Sequence, residues 1–148
     1  MSFNRYFVEE LTALRELSRE FSERNPSLAP FLGTVGRDPD VERLFEGALK
    51  NNGLYKYFDL FFSVSDLELD KNEPDTFDLA AKKMGVRTSD CLMFEDDYMA
   101  ARAAKVSGMC VVGIVDEKSN EEELKKYTCM QAESFIQMHE KINILKVN

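Results

Sequence analysis

The sequence predicts an α/β fold: a parallel sheet with flanking helices, preceded by an N-terminal helical segment. Three observations carry this. Strand-length apolar runs alternate with helical patterns between Phe58 and Val115. One of the intervening helices is built on Ala100, Ala101, Ala103 and Ala104, small enough to lie close on a sheet. Before position 25, Phe7, Leu11, Leu14, Leu17 and Phe21 recur at helical spacing.

Phe7, Leu11, Leu14, Leu17 and Phe21 share one face with Glu and Arg between them, so a long amphipathic helix is expected from Asn4 to Arg24. Asn25-Pro26 ends it, because proline disfavours helical backbone at the preceding residue. Pro26, Pro30, Gly33 and Gly36 then read as a loop. Asp38-Pro39 supplies an N-cap and a proline at the first helical position. Val41, Leu44, Phe45, Ala48 and Leu49 form that second helix's apolar face, and Gly53 is placed to cap its end.

Phe58 to Val64 suits a buried strand, and Ser65 to Glu73 a polar loop. Pro74 opens a short helix with Phe77, Ala80, Ala81 and Met84 on one face, stopped by Gly85. Cys91 to Phe94 is the next strand and ends at Glu95-Asp96-Asp97; the alanine helix follows, closed by Gly108, and then the strand Val111 to Val115. In parallel sheets functional loops gather at the carboxyl ends of strands, where Glu95 and Asp96 stand. Ser119 and Asn120 are placed to cap a helix from Glu121 to Tyr127 within the charged stretch Asp116 to Lys126. His139, the only histidine, falls in the helical stretch Phe135 to Leu145 with no identifiable Cys, Asp or Ser partner, so it is expected to face solvent.

The chain has 148 residues, 44% of them hydrophobic, which suits one domain with a real core. A formal charge of −8 disfavours contact with nucleic acid backbones and would suit a basic protein partner. No run approaches the roughly 18 apolar residues that a membrane span needs, and Met1 to Tyr6 lack the pattern of a secretory leader, so no membrane association and a cytoplasmic setting are expected. Cys91, Cys110 and Cys129 are an odd set without C-x-x-C spacing; Cys91 and Cys110 open apolar runs, which favours structural burial over metal binding. Nothing in the composition bears on oligomeric state.

Composition changes near residue 48. All six basic residues up to position 47 are arginines, whereas positions 48 to 148 hold eleven lysines and only Arg87 and Arg102. No packing demand separates the two residue types on solvated helix faces, so the switch points to a hybrid. Its segments are residues 1–47 and 48–148, expected to pack as one domain, whether joined by natural fusion, recombination or design.

Phe3-Asn4-Arg5-Tyr6-Phe7, Leu14-Arg15-Glu16-Leu17, Leu28-Ala29-Pro30-Phe31-Leu32-Gly33 and the run Gly36 to Leu44 resemble the N-terminus of the type VI secretion baseplate protein TssF over residues 2–47. That family's members are several times longer, so the resemblance implies only their opening segment.

A second resemblance covers residues from about 50 to 130. Tyr57-Phe58-Asp59, the run Lys71 to Phe77, Phe94-Glu95-Asp96 and the run Arg102 to Met109 are similar, in family order, to the C-terminal half of HAD hydrolases of the beta-phosphoglucomutase-like branch. It implies a partial HAD-like, Rossmann-like sheet, with Glu95 and Asp96 as Mg²⁺ residues. It also implies Lys71 as a phosphate contact that stabilises the transferring phosphoryl group. The family's Lys-Pro-x-Pro stands here as Lys71-Asn72-Glu73-Pro74, which removes a rigid turn and should leave Lys71 less securely oriented.

HAD chemistry starts with an aspartate on the first apolar strand attacking phosphorus, and a second aspartate two residues on acts as acid and base. The only Asp-x-Asp here is Asp38-Pro39-Asp40, preceded by Gly33 to Arg37 instead of an apolar strand, and it reads as a helix cap. The second motif, a strand ending in Ser or Thr, is also missing, so no catalytic residue is assigned. In the family's sheet the strands matching Phe58–Val64 and Cys91–Phe94 are separated by the two missing ones. They must therefore pair directly or otherwise, or a partner must fill the gap, because unpaired buried backbone groups cost roughly 1–3 kcal/mol each.

Simpler readings stand beside these. Glu95-Asp96-Asp97 would serve as a helix cap, and Lys71 as a solvated lysine beside Asp70 and Glu73. The function expected is an HAD-like phosphohydrolase-derived protein with a residual, weak Mg²⁺ and phosphate site and no turnover. The alternatives are an acidic non-enzymatic binding or inhibitor protein and a type VI secretion baseplate-associated protein.

Overall fold

The computed structural model describes residues 5–24, 33–36, 39–63, 69–117 and 119–147. In chain order the elements are α1 (Arg5–Arg24), β1 (Gly33–Gly36), α2 (Pro39–Asn51), β2 (Leu60–Ser63), α3 (Pro74–Met84), β3 (Leu92–Glu95), α4 (Tyr98–Ser107), β4 (Cys110–Ile114), α5 (Glu121–Lys125), β5 (Met130–Ala132) and α6 (Phe135–Val147). They fall into two compact units, Met1–Ser65 with Phe135–Asn148, and Asp66–Ser134. Among the described residues no helix is long and apolar enough to cross a membrane.

In the first unit α1 and α2 occupy the predicted positions, and α2 runs without a break across residue 47. Gly53 follows it with φ +69°, the left-handed backbone that ends helices most cheaply at glycine. Leu11 of α1 packs with Leu49 and Leu54 among Phe45, Phe58 and Phe61. Phe45 and Phe58 meet edge to face at 5.9 Å, and the Arg15 guanidinium lies 3.9 Å from the centre of the Tyr57 ring. Glu10 of α1 accepts the backbone N–H of Phe135 at 2.7 Å, satisfying a donor that the first turn of α6 leaves over.

Two expectations fail in this unit. Gly33 to Gly36 is not loop but strand β1, in parallel register with β2 from Gly33↔Leu60 to Gly36↔Ser63. Its glycines lower local strand preference, and the ladder with β2 overrides it. His139 does not face solvent: its Nε2 lies 3.3 Å from Glu20 Oε1 with 26% of the side chain exposed. The partners are 119 residues apart, so no local pattern could announce the pair.

The second unit holds a three-stranded parallel sheet in the order β3-β4-β5. Leu92↔Cys110 opens the β3–β4 register and Val112↔Met130 the β4–β5 register. Within the first unit β2 pairs with β1, and within the second β3 pairs with β4. β5 had no sequence signal, since three residues are too few to show a period.

Phe77, Ala81, Ala100, Ala101, Ala103, Ala104, Met109, Val111 and Leu124 form the core of this unit. The alanines of α4 are 0–2% exposed, so β-carbons alone fill the space between that helix and its neighbours. Gly85 (φ +73°) and Gly108 (φ +112°) end α3 and α4, with Val86 N–H bonded to the Ala81 carbonyl and Met109 N–H to the Ala104 carbonyl. The Asn120 side chain accepts from Glu123 N–H and caps α5 as expected. The cysteines correct the burial expectation: Cys91 is half-buried, and Cys110 and Cys129 are exposed, because they stand at strand starts rather than inside the sheet.

Gly108 is also closely fitted. A β-carbon there would sit 2.8 Å from Thr88 Oγ1, whose hydroxyl donates to the Ser107 carbonyl at 2.6 Å. Gly108→Ala should therefore destabilise this unit by roughly 2 kcal/mol through backbone strain and displacement of Thr88. Urea unfolding measures it, and an unchanged midpoint would contradict the packing.

Candidate functional site

β3 carries Glu95 as its last residue, and α4 begins three positions later, so the acidic run lies in a tight strand-to-helix turn. Asp97 is the N-cap of α4: its Oδ1 accepts from Met99 N–H at 3.0 Å. The capping role expected of the run thus belongs to Asp97. Glu95 turns back over the same bend, and its Oε1 accepts the N–H groups of Asp96 (3.1 Å) and Asp97 (3.2 Å). Asp96 is exposed.

The second oxygen of Glu95 meets Lys71. Nζ lies 3.0 Å from Oε2, with 17% of the lysine side chain and 5% of the glutamate side chain exposed. Lys71 is therefore not a solvated loop lysine, and its ion pair is with Glu95 rather than with Asp70 or Glu73.

Its loop is also better held than the missing proline suggests. Asp70 Oδ1 accepts from Asn72 N–H at 2.9 Å, and the Asp70 carbonyl accepts from Glu73 N–H at 3.0 Å and from the Thr76 hydroxyl at 2.5 Å. Thr76 is fully buried in the first turn of α3. A side-chain turn at Asp70 thus replaces the rigidity that proline would give at position 72. The signal was present in Asp70-Lys71-Asn72-Glu73-Pro74, a turn former immediately before a helix start.

Burial pushes the Glu95 carboxyl above its ordinary value of 4.5; the Lys71 charge opposes that shift, contact with the Asp96 side chain adds to it, and the hydrogen bond from the Asp97 backbone lowers it.

The arrangement does not fit a preformed Mg²⁺ site. Among the described residues no three His, Cys, Asp or Glu side chains are grouped to hold a metal. Both oxygens of Glu95 are engaged, and of the two carboxylates Asp96 is the exposed one. Mg²⁺ demands near-octahedral oxygen ligation, which one such group leaves to water. Asp38 lies outside the described residues; Asp40 is exposed at the start of α2 and ion-paired with Arg43. A groove of about 480 Å³ lined by Asp78, Lys82, Arg87 and Thr88 includes none of Lys71, Glu95 and Asp96.

The raised Glu95 value has a definite sign. Above pH 4.5 and up to its folded value, the folded chain binds more protons than the unfolded one. This carboxyl's contribution to stability is therefore full at lower pH and is lost as pH rises through that window. Glu95→Gln removes this dependence while keeping an acceptor for the Asp96 and Asp97 amides. The stability of Glu95→Gln relative to wild type should shift in the variant's favour from pH 4.5 toward neutrality. Urea midpoints across that range read it, and a difference independent of pH would contradict the burial argument.

Residues 37–108 match the haloacid dehalogenase-like hydrolase family model, and residues 1–49 match that of the type VI secretion system protein TssF. The fructose-1-phosphate phosphatase YqaB of Escherichia coli is 38% identical over 112 residues, covering 72% of this chain and 60% of that protein. The beta-phosphoglucomutase structure from Clostridium difficile aligns over 98% of this chain and 66% of its own, with TM-score 0.64 and 21% identity. An HAD phosphatase structure from Thermococcus onnurineus aligns over 85% of this chain and 55% of its own, with TM-score 0.63 and 24% identity. The chain thus spans 60% of the length of YqaB. The match to the hydrolase family model is confined to residues 37–108, and the chain shares the α/β fold of these solved structures.

Proposed function

We propose that this chain derives from an HAD-type phosphohydrolase, retains a residual phosphate contact at Lys71, and turns over little or no phosphate ester. Mg²⁺ is held only weakly, by Asp96 with whatever share of Glu95 the lysine releases. The observation that carries this reading is the Lys71–Glu95 ion pair at 3.0 Å. A cation that is to stabilise a transferring phosphoryl group must present its charge to that group. Here much of that charge is compensated by a buried carboxylate, and the same carboxylate is engaged by two amides.

The attacking group supports the same reading. Asp38-Pro39-Asp40 is the one Asp-x-Asp in these 148 residues, and Pro39 and Asp40 stand in the first turn of α2 rather than at the end of an apolar strand. The covalent route through an aspartyl-phosphate begins with attack by an aspartate at a strand end, a position that Pro39 and Asp40 do not occupy. The match to YqaB makes a ketose 1-phosphate the first ligand class to test. The two family matches, together with the change from arginine to lysine near residue 48, favour a chain of two ancestries, with a type VI secretion baseplate as the setting of its opening segment.

The full chain is assayed with Mg²⁺ and fructose 1-phosphate, and with a generic aryl phosphate. The expected outcome is phosphate release no faster than that of Asp96→Ala, and no faster than with chelator present. Mg²⁺-dependent turnover that Asp96→Ala abolishes would overturn the proposal.

A further inference from the structure

Cys110 is the first residue of β4, and Cys129 immediately precedes β5. The parallel register of these strands sets their amino ends side by side, and the two Sγ atoms lie 2.8 Å apart, inside ordinary sulfur contact. The backbone holds them there: Cys129 N–H donates to the Val111 carbonyl at 2.9 Å and Cys110 N–H to the Cys91 carbonyl at 3.2 Å. Both residues are free thiols and exposed, so a small oxidant reaches them. The third thiol, Cys91, points elsewhere, with its Sγ 3.4 Å from the Arg87 carbonyl oxygen.

We propose that Cys110 and Cys129 are a reversible disulfide site, oxidised by a hydroperoxide or by a low-molecular-weight disulfide. With hydrogen peroxide, one thiolate attacks an oxygen and forms a sulfenic acid, releasing water; the other sulfur displaces the sulfenic hydroxyl as a second water and closes the S–S bond. With glutathione disulfide, the first thiolate displaces one glutathione thiol, and the second cysteine then displaces the other. Two thiols are oxidised in either case, and one peroxide or one disulfide is reduced.

Burial and the neighbouring Cys129 push the Cys110 thiol up to about 11, so the reactive thiolate is scarce near neutrality and the reaction accelerates with pH. The closed bond would span residues 111–128, including α5, at the amino-terminal rim of the sheet. Glu95 ends β3 at the carboxyl-terminal rim, so the bridge is a clasp on the fold that leaves the Lys71–Glu95 pair untouched.

The test uses the full chain, reduced and then exposed to glutathione disulfide at neutral and mildly alkaline pH. Titratable thiols should fall from three to one, the intact mass by about 2 Da, and peptide mapping should join Cys110 to Cys129. The rate should rise with pH, and dithiothreitol should restore all three thiols. Cys91→Ser should still form the bridge. Three persistent thiols, a stable glutathione adduct, a link to Cys91 or a covalent dimer would each overturn the proposal. The wild-type peptide map decides this without relying on the folding of any cysteine variant.

Discussion

A carboxylate buried at the end of a strand must be compensated, and in the Asp66–Ser134 unit the compensation comes from Lys71. Removing one partner of such a pair leaves an uncompensated charge in a poorly solvated place, at a cost on the order of 3–5 kcal/mol. The pair therefore ties the turn before α3 to the turn between β3 and α4. Asp70, Thr76 and Asp97 act around it as positioning residues: the first two close the lysine's turn, and the third starts the helix whose backbone lies against the glutamate.

On the reading proposed above, the same contact lets an HAD-like segment keep its fold without phosphoryl-transfer chemistry. The parallel strands and the alanine-faced helix need only close packing, which Ala100, Ala101, Ala103 and Ala104 supply whatever happens at the strand ends. Catalysis needs charge left exposed to a substrate. In this chain the lysine and the glutamate answer each other, and the β3 strand end is occupied by its own hydrogen bonds.

Features decided by neighbours in sequence were readable from it. Gly85 and Gly108 end their helices with left-handed backbone, Asp97 and Asn120 cap theirs, and Pro74 opens α3. Features decided by distant contacts were not. β1 is strand only because β2 lies beside it, His139 meets Glu20 across 119 residues, and Cys110 meets Cys129 through the β4–β5 register. The candidate site falls between these cases. Family resemblance singled out Lys71, Glu95 and Asp96, but the pairing of the first two is a tertiary fact that reversed the solvated-lysine reading and left Asp96 as the only exposed carboxylate of its pair.

The most direct measurement is a double-mutant cycle on unfolding free energy with Lys71→Met, Glu95→Gln and both together. A favourable coupling of at least about 1 kcal/mol is predicted for two groups that neutralise each other in a shared, poorly solvated contact. Additive effects, with no coupling between the positions, would contradict the account.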